Sequence, residues 1–398
     1  MSLPRRDQVP GDPTGDWITL GGWALGGLGV AAALVAWGWD GAGARAAASQ
    51  VWSPFILVAG LLLIGLVADE DGLFAAAGHR LAALAPNGFA LFAGAALTIA
   101  IVTALLNLDT SVVFLTPVLV YAARSRGQGE VALLTACLLL SNAASTLLPG
   151  SNLTNLIVLG HLHLSGGQFL AHMALPWAVS VLLTGSVIAW AERRPLRAAA
   201  AGAGAGAGPP VDTAPVTGRL GAVGVLAATV LVLVLHSPAL PVAAVGVLVI
   251  AIRLTRGRER FDRVTEVLGL PVLIGLFGIA VALGTLGRAW SGPATLLSHL
   301  DGVGTAALAA GSTVLVNNLP AASLLAARVP PHPFALLVGL DIGPNLFVTG
   351  SLAWILWWRT IRTSGSTAPL ARTIGLGLIT VPLSMAAALG MLAVTGSL

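Results

Sequence analysis

The sequence predicts an all-α polytopic membrane protein built from two inverted repeats, each with a re-entrant hairpin and a broken transmembrane helix. Three observations lead there. Apolar residues make up 56% of the chain and charged residues 9%, against about 25% charged in soluble domains. The apolar stretches are interrupted by polar residues, prolines and glycines at Asn107–Ser111, Pro149–Asn152, Asn317–Pro320 and Asp341–Ser351. These interruptions also pair up between the halves: Ser141 leads to Gly150-Ser151 with the spacing by which Asp341 leads to Gly350-Ser351.

Taken in order, residues 1–16 are polar and are expected to form a cytoplasmic tail, with the apolar segment after them kept as an anchor. Trp17–Trp37 and Val51–Ala68 read as spans. Asp69, Glu70 and Asp71 open an interfacial segment through His79, Arg80 and Pro86, the three acids solvated at the membrane edge. Phe89–Leu106 stops at Asn107-Leu108-Asp109-Thr110-Ser111. The apolar Val112–Ala123 beyond it has about a dozen residues, short of the roughly 20 a spanning helix needs. A hairpin with its polar tip at mid-depth accounts for that shortness. Val131–Leu148 breaks at Pro149-Gly150-Ser151-Asn152 and resumes as Leu153–Leu159, and Phe169–Trp190 completes a first repeat over 17–190. Residues 191–218 carry an Ala/Gly tract, Ala198–Gly208, and read as a flexible cytoplasmic linker.

The second half, 219–398, opens with the spans Leu220–Leu235 and Val242–Leu254 and the basic loop Arg253–Arg263. Leu268–Leu286 spans again. Thr305–Val316, the tip Asn317-Asn318-Leu319-Pro320 and the short arm Ala321–Arg328 form the second hairpin. Ala335–Trp358 is the second broken helix, and Thr373–Thr395 the last span. A backbone freed at mid-depth must be buried in protein or line a watery cavity, because hydrocarbon offers it no partner.

The basic charge of the chain comes from arginine alone, since lysine is absent. With the N-terminus cytoplasmic, only Arg45, Arg288 and Arg328 of the 20 arginines fall outside, the bias expected of short cytoplasmic loops. That orientation brings the first hairpin in from the cytoplasm and the second from outside, as in an inverted repeat. Arginines confined to short loops form no nucleic-acid surface.

Asp109 and Asp341 stand at the interruptions. A charged aspartate at bilayer centre costs about 2.5–3.5 kcal/mol on insertion scales, so each is a candidate proton or substrate carboxylate, or the cap of a half-helix. Asn107, Asn142, Asn152, Asn155, Asn317, Asn318 and Asn345, with Thr110, Ser111, Ser151, Thr154, Thr349 and Ser351, add neutral donors and acceptors suited to a small polyhydroxy solute. The same groups equally serve to stabilise helix breaks. Pro117, Pro149, Pro320 and Pro344 shape those breaks. The seven histidines fall mostly near segment ends, and His161 with His163 is too little for a metal site. No phosphate loop is present, so no ATP drive and no cofactor is expected within the chain. An enzyme reading, an intramembrane protease, would need a Ser–Lys or Ser–His pair or two facing aspartates. Asp109 and Asp341 are the only such option and lack flanking motifs.

At these motifs the sequence resembles the arsenite/antimonite efflux permeases of the ion transporter superfamily. The resemblance is carried by Asp109 with Leu115-Thr116-Pro117, by Ser151-Asn152-Leu153-Thr154-Asn155, by Asn317-Asn318-Leu319-Pro320, and by Asp341-Ile342-Gly343-Pro344-Asn345 with Gly350-Ser351-Leu352-Ala353. It covers roughly Val51 to Trp358. The chain departs from that pattern at Leu108-Asp109-Thr110, where those permeases show Asn-Asp-Gly, at Asn142, where they carry an acid, and at Asn345, where they carry a lysine. The resemblance implies export of neutral arsenite or antimonite hydroxides in exchange for protons at the plasma (inner) membrane. It implies work alone or with an ATPase subunit, homodimers, and a moving part made of Phe89–Leu159 with Thr305–Trp357. The single cysteine, Cys137, sits in an apolar run and offers no thiolate trap, so a metalloid would travel as its hydroxide. A Na+/H+ antiporter is the alternative within the superfamily. A dicarboxylate carrier fits less well, because acids at the tips oppose a polyanion.

Overall fold

Long apolar segments here become helices, and the polar interruptions become helix starts. The computed structural model describes residues 13–160, 162, 164–202, 218–235, 237–257 and 261–398. The N-terminal tail before Pro13, the linker tract 203–217, and His161, His163, His236, Arg258 and Arg260 lie outside the described residues.

The first half runs α1 (Pro13–Trp39), α2 (Gly41–Glu70), α3 (Leu73–Leu84), α4 (Gly88–Leu105), α5 (Leu108–Ser125), α6 (Val131–Ala144), α7 (Leu153–Leu159), α8 (Gly166–Ala191) and α9 (Arg193–Gly202). The second runs α10 (Leu220–Val234), α11 (Ala239–Thr255), α12 (Phe261–Leu268), α13 (Leu270–Ala289), α14 (Gly292–Ser298), α15 (Gly302–Val316), α16 (Asn318–Leu325), α17 (Pro333–Ile342), α18 (Leu352–Thr363) and α19 (Leu370–Val394). Among the described residues, 6 helices are long and apolar enough to cross a membrane. The protein is therefore a multi-pass, all-helical membrane protein.

The order of elements recurs. Hairpin α4/α5, broken helix α6/α7 and long α8 are matched by hairpin α15/α16, broken helix α17/α18 and long α19. Across the halves, α1 lies on α13, α11 on α2, α2 on α13, and α8 on α19. Small residues let these backbones approach. At the α1–α13 crossing a Cβ on Gly29 would fall 2.1 Å from the Gly275 carbonyl oxygen, so only glycine fits there.

Four expectations need correction. The second arm of the first hairpin is not short: α5 has 18 residues, equal to α4. Asn107 explains the difference. Its side chain accepts the Thr110 N–H at 2.6 Å, which starts the helix at Leu108 and puts Asp109, Thr110 and Ser111 in its first turn rather than in a loop. Secondly, Asp71 is not solvated. It is 1% exposed, takes Arg253 Nη1 at 2.8 Å and accepts the Gly221 N–H at 2.7 Å. Thirdly, Arg253 is not a loop residue, since it is buried at the end of α11 as Asp71's partner. A buried acid survives when paired in this way. Fourthly, the linker region begins as helix α9, which packs on α4 and buries Leu196.

The breaks satisfy their own backbone. Trp354 Nε1 donates to the Pro344 carbonyl at 2.8 Å, and Trp357 Nε1 to the Leu134 carbonyl at 2.8 Å. The first bond meets a carbonyl at the second break, where lipid offers no water, and the second ties α18 to the interior of α6. The second hairpin tip is strained: Asn317 has φ +74° and ψ 151°, a backbone region that residues other than glycine rarely adopt.

Candidate functional site

Four helix starts gather around one cleft. Its polar wall is Asp109 from the first turn of α5, Asn152 at the start of α7, Asn317 and Asn318 at the start of α16, and Ser351 at the start of α18. Five leucines close it, Leu108, Leu153, Leu319 and Leu352 from the same starts and Leu276 from α13. The free space is about 20 Å³, room for about one water. A larger solute needs a wider cleft than this conformation offers. Within the cleft the second tip is pinned to the second break, with the Asn318 N–H donating to the Gly350 carbonyl at 2.9 Å.

Behind the cleft lies a buried network centred on Asp341, which is 0% exposed. Its Oδ1 accepts from Asn152 Nδ2 at 3.0 Å and from the Thr154 hydroxyl at 2.5 Å. Asn152 Nδ2 also donates to the Ser145 hydroxyl at 3.1 Å, and Asn152 Oδ1 caps α7 by accepting the Thr154 N–H. Asn152 thus touches the cleft with one face and Asp341 with its amide. Asn155 Nδ2 donates to the carbonyls of Ser145 at 2.8 Å and Leu148 at 3.0 Å, closing the first break. Asn345 Nδ2 reaches the Leu139 carbonyl at 2.9 Å, and Asn142 Nδ2 the Leu138 carbonyl at 3.2 Å.

The oxygens left over are informative. Asp341 Oδ2 and the side-chain carbonyls of Asn142, Asn155 and Asn345 are buried without a hydrogen-bond partner among the described residues. So are Ser351 Oγ, Thr110 Oγ1 and Asn107 Nδ2. Buried polar groups are almost always paired, and each orphan costs about 1–3 kcal/mol. Most of the orphaned polar atoms among the described residues lie at these interruptions, the others being on Thr103, Trp177, Arg253 and Thr305.

The remaining candidates fall around these two places. Ser111 Oγ meets Ser141 Oγ at 3.3 Å, joining the first hairpin to the first broken helix. Ser151 Oγ donates to the Ala104 carbonyl and accepts the Leu148 N–H, so it fixes the break. Thr349 is exposed, with its hydroxyl on the Val314 carbonyl at 2.6 Å, and its own carbonyl accepts from Asn317 Nδ2 at 3.3 Å, beside the second tip. The sequence reading missed Ser145, although it stands one helical turn past Ser141. It also missed Leu276, which nothing in an unbroken apolar helix singles out.

The family profile described as "Citrate transporter" matches residues 17–349. The chain belongs to that family. This citrate transporter family member is also 24% identical over 348 residues to the arsenical pump membrane protein of Escherichia coli (strain K12), covering 80% of each chain. It is 23% identical over 347 residues to that of Yersinia enterocolitica, again 80% of each. Among solved structures, the Alcanivorax borkumensis YdaH transporter, a protein of unusual topology, aligns with a TM-score of 0.54 over 95% of this chain and 98% of its own. At 15% identity that likeness speaks for the fold alone. Resemblance to the ion transporter superfamily therefore holds, and the family member is a membrane transporter.

Proposed function

We propose that the protein is a secondary transporter exporting trivalent metalloid hydroxides, arsenite and antimonite, in exchange for protons. The observation that carries this reading is Asn152, which lines the cleft and donates to the buried Asp341. A solute displacing Asn152 from one side and a proton arriving at Asp341 from the other act on the same amide, so the two events are linked. The division of labour follows. Asp341 is the proton carrier, and Asp109, Asn152, Asn317, Asn318 and Ser351 are the solute groups. Their mixture of donors and acceptors matches a neutral trihydroxide, and the curated relatives named arsenical pumps support the substrate class.

In this reading the chain lies in the plasma membrane with its N-terminus inside, and the two hairpins enter from opposite faces. The moving part is α4–α7 with α15–α18, carried against α1, α2, α8, α11, α13 and α19, in a homodimer that works alone or with an ATPase subunit. Everted membrane vesicles carrying the protein are expected to accumulate arsenite when a pH gradient is imposed. Absence of uptake under every gradient would sink the reading. The family description favours a second reading, a carboxylate carrier. Against it, the described cleft presents an aspartate and no arginine or histidine. Parallel vesicles given citrate, and others given sodium with a pH-sensitive dye, separate the carboxylate and Na+/H+ antiport readings from arsenite export.

A further inference from the structure

The cleft is electrically unusual. Three helices of eight or more residues, α5, α16 and α18, begin at it, and a helix start carries about half a positive charge with free N–H groups. Asn107 caps α5 and Asn317 caps α16 through their side chains. The third start is open: Ser351 precedes α18 without capping it. Its hydroxyl is buried, 1% exposed as a residue, and lines the cleft with no partner among the described residues. An uncapped helix start beside an unused buried hydroxyl is a ready receptor for an oxyanion.

Facing that receptor is Asp109. Its carboxylate lines the same cleft and makes no hydrogen bond or ion pair with any described residue. No arginine or histidine shares the cleft among the described residues. We propose that Asp109 sets the charge of the solute: as a resident anion opposite the Ser351 start it reserves the cleft for neutral polyhydroxy solutes, and its removal turns the cleft into a site for a small oxyanion. A like charge brought into a partly desolvated cleft is repelled strongly. With that charge gone, the Ser351 hydroxyl and the free N–H groups of the first turn of α18 are left to act as donors. The proposal rests on the cleft being the solute site. It goes beyond the metalloid reading by assigning the selection against anions to one side chain.

The test is equilibrium dialysis of the purified full-length chain with radiolabelled arsenate, an anion close in size to arsenite, at about pH 7.5. The wild type and Asp109→Glu are expected to show no saturable arsenate binding. Asp109→Asn is expected to bind it at least tenfold more tightly than the wild-type limit, and Ser351→Ala in that background to weaken binding about fivefold. Asp109→Ser, which preserves a helix-start residue, replaces the Asn variant if that one aggregates. The proposal is overturned if a folded neutral variant dialyses like wild type, if Asp109→Glu binds arsenate, or if the gain is indifferent to Ser351. An arsenite arm keeps the two readings apart. Wild type that ignores arsenite, beside an Asn variant that gains arsenate, removes the metalloid reading and leaves this one standing.

Discussion

Asp341 is 0% exposed and takes two donors from the first half of the chain on one oxygen, whereas Asp109 faces the cleft and takes none among the described residues. Both stand at helix ends in the interrupted segments, and sequence alone gives them the same role. The structure separates them. Asp341 is built into the joint between α17 and the start of α7, so a change in its protonation bears on packing. Asp109 is built into nothing, and its charge is available to whatever enters. In the proposed reading one aspartate is mechanical and the other is a filter.

The largest effect expected is at Asp341. Asp341→Ala leaves the amide of Asn152 and the hydroxyl of Thr154 short of an acceptor, at about 1–3 kcal/mol for each orphaned group. Thermal unfolding in detergent should fall accordingly, and proton-driven uptake should drop to background. Asp341→Asn keeps the shape and should restore most of the stability without restoring uptake. Recovery of uptake in that variant would erase the contrast between the two aspartates. Next is Asn152→Ala, which removes the donor to Asp341, the bond to Ser145 and the cap of α7 together. A cap alone is worth about 1 kcal/mol. Uptake is expected to lose its dependence on the imposed pH gradient before it loses solute binding, read by comparing arsenite binding with arsenite flux.

How far this contrast was legible in the sequence depends on the kind of signal. Helix breaks were legible, because proline, glycine and asparagine inside apolar runs are local facts, and Asn107, Asn152, Asn317 and Ser351 do start helices. Helix lengths were less so: hydropathy alone puts the polar Asp109-Thr110-Ser111 in a loop, whereas the cap from Asn107 puts it in the first turn of α5. Long-range pairing was not legible at all. Nothing in Asp69-Glu70-Asp71 announces that its last member meets Arg253, 182 residues away, or that Asp341 meets Asn152 across 189. Such pairs are fixed by which helices pack, a property of the whole chain.

A smaller change sharpens the comparison at Asp341. Thr154→Val preserves the shape of the side chain and removes only the hydroxyl that donates to Oδ1 at 2.5 Å, leaving Asn152 as the remaining donor. A loss of about 1 kcal/mol is expected, read as a lower unfolding temperature. The pH at which uptake is half-maximal should shift while the arsenite concentration for half-saturation stays put. Equal movement of both would place Thr154 at the solute rather than behind it.

The smallest effect on stability is expected at Asp109, and it is the most telling. Asp109→Asn removes no hydrogen bond or ion pair seen among the described residues, so its unfolding free energy should match wild type within about 0.5 kcal/mol, the range of changes away from any structural partner. Uptake of arsenite, by contrast, should change, because the side chain lines the space the solute must occupy. A stable protein with altered solute handling is the signature of a residue kept for its charge. If instead Asp109→Asn destabilises the protein as much as Asp341→Ala does, then Asp109 has structural partners in another conformation of the cycle. The two aspartates would then be alternate halves of one mechanical device, and the filter would have to be sought among Asn317, Asn318 and Ser351.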